Sequence, residues 1–531
     1  MLDTKEQQVT CAINMKSNES CGQPVWSHDG KYLVYVKWDH DSAVFPQIKQ
    51  RLGIVYCFNR PCTIMARAWP SQNDARPLTL KHNSAFSPRF TRKGDMVFLS
   101  QENAVKSGTH NATPSLHVLR RDDLAEVLKG SDITAHCLQG SCGYDRDPGV
   151  FPGMYTTVLP ETAIVTIEGR DVLYATVQWR SCLAVVAVDI TSGQLKRVSP
   201  VSSSSWSLLG VAENGWIMLH ESNPHCPSKI FVGKAEFDSL NLTQIRIPDL
   251  DAYPEAVQSA LSSIKHDILD VEAHDCATSD IKSFEATLIH DGQARPTLLM
   301  PHGGPHSAYS TQFVPSISFL AASGYNIITV NYRGSTGFGE DFLQSLPGKI
   351  GDQDVKDCLQ ALKKGIEADL VLEDKVAVVG GSHGGFLSGH LIGQYPECFK
   401  SAVMRNPVCN ISLMIHVTDI PDWCFIETFG CSEGLKKAQN RVTSEDLREM
   451  EKKSPIAFVE NVKAPVLMML GGADRRVPMD DGKRYIARLK QSDHAPDARI
   501  IVFDSDEHGL TKPQTDFEQW LTALWWLNRM L

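Results

Sequence analysis

One serine in the C-terminal half of the chain has the sequence surroundings of an activated nucleophile. Ser382 is the centre of Gly380-Gly-Ser-His-Gly384, which directly follows the apolar run Val376–Val379. A Gly-x-Ser-x-Gly turn between a strand and a helix is so tight that bulky residues cannot flank the serine. The turn raises the hydroxyl above the sheet edge, and the free N–H groups of the following helix can stabilise an oxyanion. We therefore expect Ser382 to attack a carbonyl carbon.

An acid and a histidine follow Ser382 in the chain order that α/β-hydrolases use. Asp474 comes after the apolar run Val466–Leu470, and His508 comes after Ile500–Phe503. We expect His508 to take the serine proton and return it to the leaving amine. Asp474 would hold the imidazole tautomer and stabilise the imidazolium. The sequence thus predicts a catalytic triad of Ser382, Asp474 and His508.

Other ionisable residues lie next to this predicted triad in the sequence. Asp504, Asp506 and Glu507 precede His508. A neighbour in sequence need not orient an imidazole, and these three are ordinary as surface charges. His383 is expected to be a pocket or packing residue and not the base, because its backbone is part of the tight turn.

An oxyanion hole should combine the backbone amide of His383 with a second amide from an earlier loop. The segment 301–306, Pro-His-Gly-Gly-Pro-His, follows the apolar run Thr297–Met300, and its glycines let amides approach a substrate oxygen closely. A metal site of His302, His306 and His508 is disfavoured, because the ligand spacing of a zinc enzyme is missing. We expect neither a metal nor a cofactor.

A second glycine-rich loop, Asn331–Gly339, follows the apolar run Ile327–Val330. The loop lacks the Gly-x-x-x-x-Gly-Lys pattern of a phosphate-binding loop. We therefore expect it to lie near the rim of the active site.

The elements that must position these residues alternate between apolar runs and helical patterns. The runs are continuously hydrophobic, as strands buried on both faces are. This alternation predicts a mainly parallel, doubly wound sheet, and together with the triad order it predicts an α/β-hydrolase domain at residues 256–531. The predicted helices are Asp354–Glu367, Phe386–Tyr395, Gly482–Gln491 and a closing helix at Gln514–Met530, in which Trp520, Trp525 and Trp526 are expected to pack.

Residues 1–255 have a different texture, in which polar turns with glycine lead into short β-branched or aromatic runs. Gly30, Gly94, Gly169 and Gly215 each precede such a run. Turn residues of this kind supply a positive φ, and the runs fit half-buried strands. The spacing favours a β-propeller part with four or five blade-like units. An irregular β-sandwich is the alternative.

Composition sets the broad class of the protein. A chain of 531 residues is too long to form a single hydrophobic core of ordinary size, which predicts two domains. A net charge of −10 gives no electrostatic reason to bind nucleic acid or an anionic membrane. No apolar run approaches the roughly 20 residues that span a bilayer. The N-terminus lacks the apolar core of a signal peptide. The fourteen cysteines are irregularly spaced, which fits reduced thiols in the cytoplasm.

Several motifs together resemble the prolyl oligopeptidase family of serine peptidases. They are His-Gly-Gly-Pro, Asn-Tyr-Arg-Gly-Ser-x-Gly-Phe-Gly, Gly-x-Ser-x-Gly-Gly and Asp-x-Arg-Val-Pro. Within that family, MPHGGPHS, VNYRGSTGFG, GGSHGGF, HLIGQYPE, RNPV, TDIPDWC and DRRVP are similar to the acylaminoacyl-peptidases. The likeness covers nearly all of the C-terminal half. It is weaker in GQPVWSHDGKYLVYV and RLGIVYCFNR.

The resemblance implies a cytosolic peptidase that removes an N-acylated amino acid from the blocked end of short peptides. It also implies that Arg476 lines the substrate site, that the amides of Gly304 and His383 form the oxyanion hole, and that the protein is a homo-oligomer, a tetramer in the animal enzyme. Family propellers have seven blades, so the resemblance implies that the propeller is incomplete and that the chain is shortened at its N-terminus. Another specificity within the family, an esterase, or an inactive shortened product are the alternatives.

Overall fold

The computed structural model describes residues 13, 19–39, 61–70, 75–82, 84–245, 254–273 and 281–531. The segment RLGIVYCFNR, at 51–60, lies outside the described residues. No helix among the residues described combines the length and the apolar character needed to cross a bilayer.

The described residues of the N-terminal part form four antiparallel sheets of four strands each, one after another along the chain. Gly30, Gly94, Gly169 and Gly215 all have positive φ, as the turn chemistry predicts. The first two sheets comprise β1 Glu19–Trp26, β2 Tyr32–Asp39, β3 Cys62–Ala68, β4 Arg76–Pro77, β5 Ala85–Phe90, β6 Met96–Ser100, β7 Ser115–Leu119 and β8 His136–Gln139. The other two comprise β9 Ile164–Ile167, β10 Arg170–Trp179, β11 Cys182–Asp189, β12 Leu195–Arg197, β13 Ser205–Val211, β14 Trp216–Asn223, β15 Cys226–Lys234 and β16 Leu242–Ile245.

Apolar packing joins these sheets as the blades of a propeller. One core cluster contains residues of the first three sheets, and a second joins the third sheet to the fourth. The propeller prediction is therefore confirmed over the sandwich alternative. Two helices interrupt the second sheet, α1 at Glu102–Ser107 and α2 at Arg121–Lys129.

The C-terminal part is built on one sheet of eight strands. The strands are β17 Lys265–Glu272, β18 Ser283–His290, β19 Arg295–Pro301, β20 Asn326–Asn331, β21 Val371–Gly381, β22 Ser401–Arg405, β23 Val466–Gly471 and β24 Ala498–Phe503. Their order in the sheet is β17-β18-β20-β19-β21-β22-β23-β24. β18 pairs antiparallel with β17 and β20, and the other neighbours pair parallel. This order is that of an α/β-hydrolase domain, with each predicted strand in place.

Helices cover both faces of this sheet. They are α3 Glu255–Ser263, α4 Pro315–Ala322, α5 Glu340–Gln344, α6 Gln353–Glu367, α7 His383–Gln394, α8 Ile411–Met414, α9 Pro421–Phe429, α10 Cys431–Ala438, α11 Ser444–Lys452, α12 Asp480–Leu489 and α13 Pro513–Met530, with a 3-10 helix at Pro455–Asn461. Alternate residues of each central strand enter two separate core clusters, one with α6, α7 and α12 and the other with α4 and α13. Burial on both faces explains why the strands read as continuously apolar.

The tryptophans of α13 differ from one another in burial. Trp526 is fully buried and donates its indole N–H to Ser401 Oγ over 2.7 Å. Trp525 is 49% exposed, and the guanidinium groups of Arg499 and Arg529 lie 5.3 and 5.9 Å from its ring centroid. Trp526 therefore packs in the core, as expected of a packing residue, whereas Trp525 is on the solvent side of the helix.

Candidate active site

Ser382 lies in a strained turn between β21 and α7. Its φ is 56° and its ψ is −120°, a conformation that non-glycine residues rarely adopt and that often marks a functional site. A Cβ added to Gly380 would lie 2.1 Å from the carbonyl oxygen of Gly384, and one added to Gly384 would lie 2.3 Å from that of Pro301. Only glycine therefore fits at positions 380 and 384 of this turn, as the sequence pattern predicts.

His508 and Asp474 meet in the structure across 34 residues of chain. His508 Nδ1 lies 2.7 Å from Oδ2 of Asp474. The other carboxylate oxygen accepts from the backbone amides of Arg476 and Val477, at 2.8 and 3.0 Å. Since a carboxylate can only accept, Nδ1 carries the proton of this hydrogen bond. Nε2 is then the ring nitrogen that can accept the proton of a nucleophile. The Asp474 side chain has no exposed surface, whereas that of His508 is 18% exposed.

The acids adjacent to His508 in sequence have other surroundings. Asp506 is buried and accepts from the Thr515 hydroxyl and from the Lys512 amide. Asp504 and Glu507 are exposed. The carboxylate in hydrogen-bond contact with the His508 ring is that of Asp474.

The loop after β19 approaches the start of α7, as an oxyanion hole requires. A Cβ built on Gly303 would lie 3.4 Å from Ser382 Cβ and 4.0 Å from the backbone nitrogen of His383. Trp423 of α9 donates its indole N–H to the carbonyl oxygen of Gly304 over 3.0 Å. The loop is thus held beside the nucleophile by a side chain from a different helix.

A buried pair supports the same loop from below. His306 donates from Nδ1 to the carbonyl oxygen of Gly334 over 2.8 Å, and its Nε2 lies 3.1 Å from Glu427 Oε1. Neither side chain of the His306–Glu427 pair is exposed. Burial lowers the pKa of His306, but Glu427 more than offsets this and leaves the pKa raised. Asn111 of the propeller donates to the His306 carbonyl oxygen over 2.9 Å.

His302 is engaged with protein partners on both ring nitrogens. Nδ1 lies 2.7 Å from the Gly303 carbonyl oxygen, and Nε2 lies 2.7 Å from Ser335 Oγ. Burial lowers the pKa of His302 to about 3, so the ring is neutral. With His306 also paired, the rings of these two histidines serve loop packing. Among the described residues, no group of three potential ligands has a metal-binding arrangement.

The loop Asn331–Gly339 packs against the oxyanion loop beside the cavity, but it does not line the cavity itself. Tyr332, Arg333 and Ser335 are all buried, and the Arg333 guanidinium forms a two-point ion pair with Asp357 of α6. The loop lies behind the oxyanion loop and is hydrogen-bonded to it: the Ser335 hydroxyl contacts the His302 ring, and the Gly334 carbonyl oxygen accepts from His306.

The His383 side chain is hydrogen-bonded to an aspartate outside the candidate triad. Its Nε2 lies 2.8 Å from Asp354 Oδ2, and both side chains are fully buried. The other oxygen of Asp354 accepts from the amides of Gly351 and Val355. The packing role expected for this imidazole agrees with that position, while its backbone N–H begins α7.

Arg476 lies in the same region, two residues beyond Asp474. Its Nη2 donates to Asp419 Oδ2 over 2.9 Å, and its Nε donates to the other oxygen of that carboxylate. Only 10% of the Arg476 side chain is exposed. A planar guanidinium held by a fork of this kind has a defined direction.

The candidate nucleophile and base open into one cavity of about 330 Å³. Ser382, His508, Arg476, Gly303 and Gly304 line it, together with the apolar side chains of Val408, Met414, Ile420, Trp423 and Val477 and with His110 and Asn111 from the propeller. His110 Nε2 lies 2.9 Å from Asp422 Oδ2 of α9, so the propeller contacts the hydrolase domain at the cavity edge.

Comparison with known proteins places the chain among enzymes of one kind. Family models match residues 1–256, described as the acylamino-acid-releasing enzyme N-terminal domain, and residues 311–531, described as the prolyl oligopeptidase family. Acylamino-acid-releasing enzyme 2 of Oryza sativa subsp. japonica is 38% identical, an alignment that covers 100% of this chain and 72% of the relative. The chain belongs to the acylamino-acid-releasing enzymes of the prolyl oligopeptidase family.

Further similarities agree with this family. The acylamino-acid-releasing enzyme of Arabidopsis thaliana is 36% identical over 99% of this chain and 72% of its own length. The structure of the Pyrococcus horikoshii acylaminoacyl peptidase superposes with a TM-score of 0.72 at 17% identity, covering 100% of this chain and 73% of that one. That superposition shows the shared fold of propeller and hydrolase domains.

Sequence reasoning missed several residues of this prolyl oligopeptidase family site. Asp419, Trp423 and Glu427 reach the cavity or its loops from the segment between β22 and β23. TDIPDWC is among the motifs that carry the resemblance, but no periodicity in it indicates which side chain turns inward. His110 and Asn111 come from a propeller loop, and only tertiary packing brings them to the hydrolase site.

Proposed function

We propose that this protein is a serine exopeptidase that releases an N-acylated amino acid from the blocked end of short peptides. The observation that supports it best is the charge of the cavity lining. Arg476 is the ionisable cation there besides the histidines, and no aspartate or glutamate is among the lining residues in the described part of the chain. A free α-amino group would need a carboxylate partner, whereas an acyl carbonyl suits a guanidinium donor.

Carboxylates beside the cavity are already engaged. Asp419 pairs with Arg476, and Asp422 contacts His110. A substrate ammonium group would therefore have to compete with a guanidinium or an imidazole for them. The apolar side chains around Ser382 suit an uncharged amino-acid side chain next to the scissile bond.

The proposed mechanism uses the triad of Ser382, Asp474 and His508. The serine oxygen bonds to the carbonyl carbon of the acylated residue while His508 Nε2 accepts its proton, and Asp474 stabilises the imidazolium. The amides of Gly304 and His383 donate to the oxyanion. The C–N bond then breaks as His508 protonates the leaving amine. Water, deprotonated by the same ring, releases the N-acyl amino acid and restores Ser382.

The test is hydrolysis of an N-acetyl-alanyl chromogenic amide beside its unacetylated twin. We expect turnover of the acetylated compound, little of the free amine, and a loss of roughly 10⁴–10⁶-fold in kcat for Ser382→Ala with folding retained. Preferential cleavage of the free amine would contradict the exopeptidase assignment. Full activity of Ser382→Ala would contradict the triad.

We also propose a domain boundary near residue 255, a homo-oligomer and a cytoplasmic location. The family models that end at residue 256 and begin at residue 311 support such a boundary. Fourteen cysteines, of which none of the eleven described ones forms a disulfide, fit a reducing compartment. Limited proteolysis would test the domain boundary, and light scattering after size-exclusion chromatography would test the oligomeric state. Imaging of a tagged chain in cells would test the location.

A further inference from the structure

Asn406 lies where the strands that carry the candidate triad end side by side. β22 ends at Arg405, between β21, which leads to Ser382, and β23, which leads to Asp474. Asn406 is the next residue, is 1% exposed and has a φ of 40°. Left-handed backbone is uncommon outside glycine, although asparagine tolerates it. A buried residue held there indicates a constraint beyond ordinary packing.

The side-chain amide of Asn406 bridges two loops of the candidate site. Its Nδ2 donates to the carbonyl oxygen of His508 over 2.8 Å, and the carbonyl oxygen of Glu507 lies 3.4 Å from the same nitrogen. Its Oδ1 accepts from the backbone amide of Gly471 over 2.7 Å. Since Gly471 ends β23 just before Asp474, one side chain joins the His508 loop to the Asp474 loop.

The backbone of the same segment reaches the third residue of the triad. The Asn406 amide donates to the carbonyl oxygen of Met469 in β23 over 2.9 Å. The carbonyl oxygen of Arg405 accepts from the Ser382 amide, also over 2.9 Å. The two-residue segment Arg405–Asn406 is therefore hydrogen-bonded to all three parts of the chain that carry the triad.

The two loops are also joined directly by two backbone hydrogen bonds of 2.9 Å, from Gly472 to Phe503 and from Ala473 to Asp506. A Cβ on Gly471 would lie 2.6 Å from the Glu507 carbonyl oxygen, and one on Gly472 would lie 2.5 Å from that of Asp504. Both hydrogen bonds reach the His508 loop before His508 itself. Asn406 adds a contact at the His508 main chain, because asparagine carries a donor and an acceptor on a short stem.

We propose that Asn406 is a positioning residue for the hydrolytic reaction, which it serves by fixing the His508 main chain relative to Asp474. The inference rests on the proposed function, because it takes His508 as the base. A misplacement of about 1 Å in a reacting group can cost on the order of 10²-fold in rate. Asn406 does not line the substrate cavity, so its loss should affect the chemical step more than binding.

The main variant is Asn406→Gly, because glycine accepts the positive φ and removes only the side chain. We expect kcat to fall by roughly 10–100-fold while KM changes by less than about threefold. The matched control is Asn326→Ala. Asn326 is equally buried and donates to the carbonyl oxygens of Gln293 and Leu370, but it begins β20 at the end of the sheet away from the site. Its kcat should stay unchanged.

A double-mutant cycle with His508→Ala separates positioning from general destabilisation. If Asn406 acts through His508, Asn406→Gly has no further effect on the residual rate of His508→Ala. An equal fall in both backgrounds, or a KM effect larger than the kcat effect, would overturn the proposal. Full activity of Ser382→Ala would refute the proposed function and the positioning role together. An inactive Ser382→Ala with a fully active Asn406→Gly would refute the positioning role alone.

A second variant guards against poor folding of the first. Asn406→Asp keeps the size of the side chain and the acceptor for Gly471 but loses the donor to His508. A cooperative thermal transition together with a lowered kcat is expected for it. If neither variant shows a cooperative transition, Asn406 is a folding residue and the proposal is wrong.

Discussion

The guanidinium of Arg476 and the carboxylate of Asp419 form a two-point pair at the edge of the cavity that contains Ser382. Nη2 and Oδ2 are 2.9 Å apart, and Nε donates to the second oxygen. The pair comes from two separate loops, since Asp419 precedes α9 and Arg476 follows β23. The direction of the guanidinium therefore depends on a residue that the catalytic motifs do not contain.

Removal of the Asp419 charge should weaken the binding of acylated substrates. In Asp419→Asn the guanidinium loses a charge-assisted fork, whose hydrogen bonds contribute about 1.5–3 kcal/mol each. We expect KM for an N-acetyl-alanyl amide to rise about tenfold with a smaller change in kcat, as in Arg476→Ala. Steady-state kinetics measure both constants. Asp291→Asn removes a similar two-point contact with Arg295 far from the cavity and should leave KM unaltered.

Trp423→Phe should lower kcat without unfolding the protein. The change keeps most of the ring but removes the N–H that donates to Gly304, and a hydrogen bond of this kind contributes about 1 kcal/mol net. Because the bond steadies the candidate oxyanion loop, we expect kcat to fall about fivefold. Trp520→Phe on α13 also loses an indole hydrogen bond, to Asp516, and serves as the control. Equal kinetics for the two variants would show that the Gly304 contact has no catalytic effect.

The buried pair Arg333–Asp357 should be costly to break from one side. Both side chains are at most 2% exposed. Arg333→Met leaves a buried carboxylate without its cation, which typically costs about 3–5 kcal/mol of unfolding free energy. In Arg333→Met/Asp357→Asn the second change removes that charge and keeps an acceptor for the Arg333 backbone amide. We expect urea unfolding to show most of the loss recovered, and a double variant weaker than the single one would contradict this account.

Asp481 should make the stability of the protein depend on pH. Burial raises the pKa of this carboxyl to about 7, although hydrogen bonds from the amides of Cys409 and Asn410 oppose the shift. An acid whose pKa is raised in the folded state does not lower the free energy of unfolding when the pH is below its unfolded pKa, near 3.9. Its cost grows as pH rises toward 7 and is then constant, because the unfolded chain ionises first.

Asp481→Asn removes this cost while it keeps an oxygen for the two amides. The variant should match the parent near pH 4 and exceed it increasingly up to pH 7–8, by something on the order of a few kcal/mol in unfolding free energy. Urea unfolding at pH 5 and pH 8 measures the difference. A gap that is the same at both pH values would mean that Asp481 does not titrate in this range.

The sequence alone determined the fold class and the chain positions of the candidate triad. Strands buried on both faces must be continuously apolar, so β19, β20, β21, β23 and β24 could be located, except for a residue or more at their ends, whereas the short β22 was missed. The turn at Ser382 can be read because its steric limits permit only glycine at 380 and 384. Asp474 and His508 follow from chain order, since parallel strands end at one edge of the sheet. Local geometry dictates each of these features.

Only the tertiary structure decided which side chains hold these groups in place. Asp419, Trp423, Glu427 and Asn406 reach the site from loops whose course depends on packing between distant elements. The burial of Asn331–Gly339 behind the oxyanion loop was likewise hidden, because a glycine-rich loop reads the same at a rim and in an interior. Hydrogen-bond partners far apart in sequence leave no periodic pattern, and so contacts of this kind appear only when the chain is folded.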